Sequence, residues 1–365
     1  MIKKGCFRVL IKIFIGLIFI GSITYCLAVF TNIPVLSTMR NIWIETAMTT
    51  ADHQWLATKF IPKFVIDEVM SNKIEDSGQI TVTEIKKQVG LDKSTGIQYD
   101  ISDIVLEKSD VVSEEPLLDK PLVDEFGNKI IVDDLEQGIK IIEVKTVSYT
   151  GRIVFIDDPS RVFVAHTDNK GSRGELILNY LEKYDAIVGI NANGFIDFEG
   201  KGLGGEIIGC SISNGELWSD GGYFSQYTTV GFDEENRLVV GKIKDPSDYN
   251  LRDVAQFKPA LIQNGEVLIK GTAGWGLQPR TIVAQREDGV VMFLVVDGRK
   301  PGYSIGITMG EAAELLYKYG AVTAAACDGG SSSVLAYNGE IINKPSTPMV
   351  TGRYLPNAFL VKSKK

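Results

Sequence analysis

The stretch Ala326-Cys327-Asp328-Gly329-Gly330-Ser331-Ser332-Ser333 holds a carboxylate, two glycines and three hydroxyls in eight residues. A carboxylate can serve as base or nucleophile. Glycine lets the backbone bend sharply or approach a ligand closely, and hydroxyls with loop N–H groups can cradle an anion. A tight turn opened by Asp328 would use the same residues, so the neighbours must decide. The basic and acidic residues that could join this stretch are Arg280, Asp297 and Arg299.

The elements between them predict that they meet. Thr281–Gln285, an Asp288-Gly289 turn and Val290–Val296 read as a hairpin, in which position 280 faces residue 296. That puts Arg280 beside Asp297. The chain then passes Gly298 and Arg299 and enters a helix. Thr308 is its N-cap, Glu311 closes a capping box, and Gly320 follows its end. It returns as the apolar strand Val322–Cys327. A strand–helix–strand crossover makes the two strands parallel, so Asp297 and Asp328 emerge at one carboxyl edge, where open sheets place ligands. A structural ion cluster is one reading of that edge. A site for an anionic substrate, with one acid free for chemistry, is the other.

Asn-Gly pairs at 214–215, 264–265 and 338–339 each sit between β-prone runs, the strongest short hairpin signal. Further strands are expected at Ile139–Tyr149, Arg152–Ile156, Arg161–His166 and Ala186–Ile190, with a helix at Leu176–Tyr184. So much hairpin with few helices predicts an α+β domain with a mixed, hairpin-rich sheet, over residues 139–365. Before it, residues 32–138 read as a helical and acidic stalk: Pro34 and Pro62 bracket a helical pattern with Met39, Ile42, Trp43, Thr46 and Ala47 on one side, suited to the bilayer surface or to self-packing. Residues 71–138 are acid-rich and read as flexible, with a small separate domain as the alternative. Residues 1–31 carry a basic flank (Lys3, Lys4, Arg8, Lys12) and an apolar run from Ile13 to Phe30, near the lower limit for spanning a bilayer core of about 30 Å. This predicts a single-pass, uncleaved anchor through residues 13–30, N-terminus cytoplasmic and the rest outside; a cleaved signal peptide is the alternative.

Residues 187–361 resemble the phosphodiester glycosidase family. The resemblance rests on Asn191-Ala192-Asn193-Gly194-Phe195, Arg280-Thr281, Asp297-Gly298, the Glu311 helix and Asp328-Gly329-Gly330-Ser331-Ser332, extended by Asn343-x-Pro345-Ser346 and Arg353. The family commonly has Asn-Ala-Gly-Phe at the first motif and a third glycine where Ser331 stands. The resemblance implies hydrolysis of a sugar C1–O bond whose leaving group is a phosphate monoester, in extracellular or cell-envelope glycans. Bacterial relatives are linked to exopolysaccharide. Phosphate leaves as a stable anion, so such a site needs cations for phosphate and a carboxylate for water or the anomeric carbon. On this reading Arg280 holds phosphate, helped by Arg299 or Arg353. Gly329, Gly330, Ser331 and Ser332 form the anion-binding loop. Asp328 is the first choice as base or nucleophile and Asp297 the second. Asn191 and Asn193 orient sugar hydroxyls or hold the loop, and Asn343 joins the substrate-binding set.

Composition limits the rivals. A net charge of −8 argues against nucleic-acid binding. His53 and His166 are the two histidines, too few for a His-rich metal cluster of a phosphodiesterase; His53 reads as solvated and His166 as an ordinary strand-edge residue. Glu311 has a sufficient job as a cap. No cofactor is called for, and a divalent cation is left open. Cys210 and Cys327 read as free buried thiols, with a disulfide between them as the alternative. A non-catalytic protein that binds sugar phosphates in the envelope is the alternative to the hydrolase.

Overall fold

The structure is a computed structural model that describes residues 4–50, 52–74, 79–86, 122–198, 202–219 and 226–365. It divides into two units, residues up to Ile74 with Thr272–Leu277, and the remainder.

The first unit is helical. Helix α1 (Lys4–Phe30) includes Ile11–Phe30, long and apolar enough to cross a membrane. The stretch expected as one helix is three: α2 (Pro34–Met48), α3 (Trp55–Thr58) and α4 (Lys63–Ser71). The break after α2 has a local cause: the Thr50 hydroxyl donates to the Ala47 carbonyl and accepts from the His53 N–H, so hydroxyl bonds replace the helical ladder. Pro62 then cannot continue a helix but precedes a new one well. Val29, Ile44, Ala47, Ala57, Val65, Ile66 and Val69 form this unit's core. Met39 and Trp43 of the expected apolar side are exposed and outside this core, and His53 is exposed, as expected.

A six-residue segment from far along the chain completes this unit. The Trp275 indole donates to the Ile74 carbonyl and lies under the Lys73 ammonium, 3.8 Å from the ring centroid. The Leu277 N–H donates to the Thr46 hydroxyl. The segment approaches α2 so closely that a Cβ on Gly276 would lie 2.4 Å from the Thr46 nitrogen.

The second unit is built of three sheets, in which neighbouring described strands pair antiparallel. The eight-stranded sheet runs Glu266–Val267, Ala260–Gln263, Ala321–Ala326, Arg280–Arg286, Val291–Val296, Thr150–Ile156, Ile139–Lys145 and Lys129–Asp134. A five-stranded sheet centres on Ala186–Asn191 and Asn357–Lys362, and a six-stranded one on Thr228–Asp233 and Leu251–Phe257. Phe359 of the five-stranded sheet packs edge-to-face on Phe232 of the six-stranded sheet. It also packs against Phe293 of the eight-stranded one, both at 6.3 Å, so one aromatic cluster joins the three layers. Helix α5 (Ile177–Tyr184) covers the five-stranded sheet with Ile177, Tyr180 and Leu181.

This unit begins earlier than composition indicates. Thr81–Val82 and Lys129–Asp134, expected within the stalk, are strands of the sheets. Ladder pairing and apolar packing both hold them: Thr81 pairs with Val240 and Asp134 with Ile139, while Ile130 is buried and Ile131, Val132 and Val82 pack against hydrophobic clusters. The stretch 87–121 lies outside the described residues.

The Asn-Gly hairpins form where expected, with Asn214, Asn264 and Asn338 all at φ near +50°. The turn at 288–289 differs, with glycine alone at positive φ. Its register is nonetheless the expected one, Arg280 opposite Val296. Helix α6 (Met309–Lys318) carries the full capping box, the Thr308 hydroxyl accepting from the Glu311 N–H and the Glu311 carboxylate accepting from the Thr308 N–H.

Gly276 gives a direct test of the clasp. Gly276→Ala must place a Cβ at φ +60° against the α2 backbone. It should destabilise the helical unit by about 2–4 kcal/mol, read as a lower unfolding midpoint of the detergent-solubilised chain by circular dichroism. An unchanged midpoint would mean the segment does not pack on α2.

Candidate active site

The Arg280–Arg286 strand lies between Val291–Val296 and Ala321–Ala326 and is antiparallel to both. The outer two are therefore parallel, and the residues after them, Asp297 and Asp328, emerge at the edge where Arg280 begins its strand. The expected convergence is present, by way of a strand placed between the crossover pair.

Asp328 leads into a short 3-10 turn, Gly330–Ser332. Its own backbone is tied on both sides. The Asp328 N–H donates to the Ala192 carbonyl at 2.9 Å, and the Asp328 carbonyl accepts from the Asn191 side chain at 2.7 Å. The other end of the Asn191 amide accepts from the Thr281 hydroxyl (2.7 Å) and the Val334 N–H (3.2 Å). Asn191 thus spends its side chain holding the loop. Asn193 does likewise: its amide nitrogen donates to the Ile208 and Cys210 carbonyls, and its oxygen accepts from Asn357. Of the two roles expected for these residues, both side chains take the structural one.

Two arginines border the loop. The Arg280 Nη1 lies 3.9 Å from where a Gly329 Cβ would stand, and the Arg299 Nη2 lies 2.9 Å from the corresponding point on Gly330. The two glycines therefore leave the approach that guanidiniums need. Arg299 sits at φ +57°, an outlier for a side chain of its size, with its Nε donating to Gln278. Burial, with the neighbouring Arg299 charge, brings Arg280 down to about 9.

On the other side of Asp328 stand Phe195, Asp197 and Arg353. Gly194 faces the Asp328 carboxyl, an added Cβ being 3.9 Å from its Cγ. Arg353 binds Asp197 at 2.6 Å, reaches the Ser331 hydroxyl at 3.3 Å and the Gly202 carbonyl at 3.1 Å, and lies over the Phe195 ring. Burial pushes the Asp328 carboxyl up to about 6. The Ser332 hydroxyl, the Arg353 charge and the Gly329 N–H pull the other way, while Asp197 adds to the rise. Burial also raises Asp197, but bonds from Arg353 and the Gly202 N–H outweigh it and leave Asp197 below the ordinary carboxylate value. Two carboxylates with opposed shifts thus flank one guanidinium.

Asp297 is at the same sheet edge but is engaged on both oxygens. One accepts from Arg152 (3.1 Å) and the Tyr303 hydroxyl (2.8 Å), the other from Asn343 (3.0 Å) and the Lys344 N–H (2.9 Å). Its side chain is fully buried. Asn343 also donates to the Ser333 carbonyl and accepts from the Leu335 N–H. Asn343, held in turn by Asp297, thereby pins the chain that follows the serine loop.

Asp197 was not among the sequence candidates. The signal for it was its place two residues after Asn191-Ala192-Asn193-Gly194-Phe195, but a lone aspartate in a loop has no spacing that marks it. His166 is buried and stacked on Trp218, its Nε2 bonded to the Ser211 hydroxyl; burial and Lys170 lower it to about 3, so it is neutral. Cys210 and Cys327 are separate buried thiols. Among the described residues, no group of three or more His, Cys, Asp or Glu is placed to hold a metal ion.

Fold and site together describe an α+β domain with an arginine-bordered acid–glycine loop. The sequence model of the phosphodiester glycosidase family matches residues 184–362, the stretch that holds Asn191, Arg280, Asp328 and Arg353. The resemblance carried by the motifs therefore stands as a family match over that stretch. The chain is similar in structure to the catalytic domain of zebrafish N-acetylglucosamine-1-phosphodiester alpha-N-acetylglucosaminidase, at a TM-score of 0.50 and 21% identity, covering 62% of this chain and 82% of that one. A hypothetical protein from Synechocystis aligns at a TM-score of 0.47 and 16% identity, over 65% of this chain and 64% of that one. In sequence the chain is 25% identical over 315 residues to the SPbeta prophage-derived uncharacterized protein YomE of Bacillus subtilis (strain 168). The match covers 82% of this chain and 42% of that protein's length.

The raised Asp328 carboxyl has a stability consequence. The folded state holds that proton more tightly than the unfolded chain, so wild-type stability falls as pH rises from 4 through 6. Asp328→Asn removes the titration. It should be more stable than wild type above pH 6, by about 1–3 kcal/mol, with the difference shrinking toward pH 4. Denaturant unfolding of both proteins across pH 4–8 measures this, and a pH-independent difference would contradict it.

Proposed function

We propose that the domain is a hydrolase that cleaves the glycosidic C1–O bond of a sugar-1-phosphodiester, with the substrate in an extracellular or cell-envelope glycan and the domain held outside the membrane by an uncleaved α1. The observation that carries the reading is the pair of guanidiniums, Arg280 and Arg299, side by side at the glycine loop that begins with Asp328. Two like charges, one of them buried, repel, and an anion between them offsets that repulsion. A phosphodiester monoanion relieves that repulsion, and its departing phosphate monoester, which gains a charge, relieves it further. The interaction therefore strengthens as the bond breaks, which is what accelerates a reaction. Arg353 and the Ser331 and Ser332 hydroxyls complete the donor set on the far side of the loop.

Asp328 serves the anomeric carbon as base toward water or as nucleophile. A carboxyl near 6 ionises in the neutral range yet keeps more basicity than an exposed aspartate. Asp197, held ionised by Arg353, stabilises positive charge developing on the sugar ring and keeps the Asp328 proton affinity high. Asp297 acts through Arg152, Tyr303 and Asn343 as a positioning residue. The retained anchor is supported by packing, since Val29 is buried in the core of the helical unit and Arg40 donates to the Val29 and Thr31 carbonyls. Removing α1 as a signal peptide would strip those contacts.

The test is turnover of sugar-1-phosphodiesters by the full chain in detergent, run in ¹⁸O-labelled water with both products analysed by mass. Label in the sugar is expected; label in the phosphate would assign a phosphodiesterase, and no turnover with retained binding would assign a sugar-phosphate-binding protein. Asp328→Asn should lower kcat by on the order of 10²–10⁴ and remove the fall in rate below about pH 6. Arg280→Lys keeps the charge but loses the planar fork, and should lower kcat/KM more than tenfold. Activity of Asp328→Asn within a few-fold of wild type would remove Asp328 from the chemistry.

A further inference from the structure

The helical unit exposes an aromatic face whose depth is set by its contacts with α1. The Tyr25 hydroxyl donates to the Phe60 carbonyl at 2.7 Å, and the Phe64 ring stacks on the Phe30 ring at 6.2 Å. The apolar span ends at Phe30. Tyr25 lies five residues inside that end, about 7.5 Å along a helix axis, and a helical side chain leans toward the N-terminus, further from that end. If α1 spans a bilayer, the Phe60 backbone is carried below the level at which the span surfaces. Phe60 and Phe64 are 58% and 64% exposed, so at that depth they meet acyl chains or headgroups rather than protein.

The surroundings have the composition of an interface. Trp55 and Trp43 are half exposed, and the Trp43 indole donates to the Leu56 carbonyl, tying α2 to the same corner. Trp and Tyr with one polar end favour the headgroup layer. Lys59, over the Trp55 ring, supplies an ammonium group for lipid phosphates, while Lys63 is paired with Asp67 at 2.6 Å. The exposed face of α4 changes from Phe64 to Asp67 and Glu68 within one turn, which marks where the footing meets water.

Resting on the reading of α1 as a membrane span, we infer that the α3–α4 corner is a second membrane contact, an interfacial footing of Trp43, Trp55, Phe60 and Phe64 set in the outer leaflet. A bare span can rotate and tilt; a corner bonded to it at Tyr25 and Phe30 and buried in the headgroup boundary fixes both. The occupant of this face is lipid, because the face continues directly from the span and two of its members contact the span's own aromatics.

Spin labels on the full chain in anionic lipid nanodiscs test this. Phe60→Cys and Phe64→Cys are labelled in a Cys6→Ser, Cys26→Ser background, where the remaining thiols are buried. Leu17→Cys reports the span and Glu68→Cys reports water. Labels at 60 and 64 should be accessible to oxygen and several-fold less accessible than 68 to a nickel chelate. In the chain with native aromatics, dibrominated lipids should quench part of the tryptophan emission, and Trp43→Phe with Trp55→Phe should remove that quenched part. If the label at 17 is open to the chelate, the span reading fails and the footing with it. If 17 is lipid-exposed while 60 and 64 match 68, the footing alone is overturned. Short dipolar distances between labels at 60 on two chains would assign the face to a second copy and overturn it too.

Discussion

The repulsion between Arg280 and Arg299 is the constraint around which the site is built. Two guanidiniums would separate in water at no cost; here each is held by an element that cannot easily yield. Arg280 is fixed in a central strand paired on both sides, and Arg299 is held at positive φ with its Nε bound to Gln278. Keeping such charges together requires rigid surroundings, and the surroundings supply it. Asn191 clamps the Asp328 carbonyl, Asn193 and Asn357 clamp each other, and Asp297 joins three chain segments through four hydrogen bonds. Much of the buried polar content is thus mechanical support for the loop that begins at Asp328 and the arginines beside it.

This division explains why the acids differ. Asp297 and Asp328 follow equivalent strands and emerge at one edge, yet Asp297 has four donors and no exposure, while Asp328 is half-buried with its carboxyl raised. Asp297 is committed to four partners, whereas burial raises the Asp328 carboxyl against the pull of the Ser332 hydroxyl and the Gly329 N–H. The same contrast recurs between Asp197, fixed by Arg353, and Asp328 beside it.

The helical unit and the sheet unit have different origins of order. The sheets are specified by register, and the Phe359 cluster unites them. The helices are short, three of them under sixteen residues, and isolated helices of that length are marginal in water. They are secured by α1, through Val29 and Arg40, and by the Trp275 segment inserted from far along the chain.

What the sequence determined by itself was whatever depends on near neighbours: the Asn-Gly hairpins, the Thr308–Glu311 cap, the apolar α1, and the register placing Arg280 opposite Val296. The meeting of Arg280, Asp297 and Asp328 was legible too, because two strands joined by a capped helix run parallel whatever lies between them. The insertion of the arginine strand between those two was decided only by tertiary pairing, as was the recruitment of Thr81–Val82 out of an acid-rich stretch. Lys129–Asp134 is the first strand of a hairpin with Ile139–Lys145, signalled by Ile130, Ile131 and Val132 but masked by the acid-rich composition around them. Thr81–Val82, by contrast, pairs with a strand far along the chain and has no local signature. The same limit hid Asp197. Its role comes from Arg353, more than 150 residues away, and a carboxylate takes its proton affinity from whatever folding sets beside it.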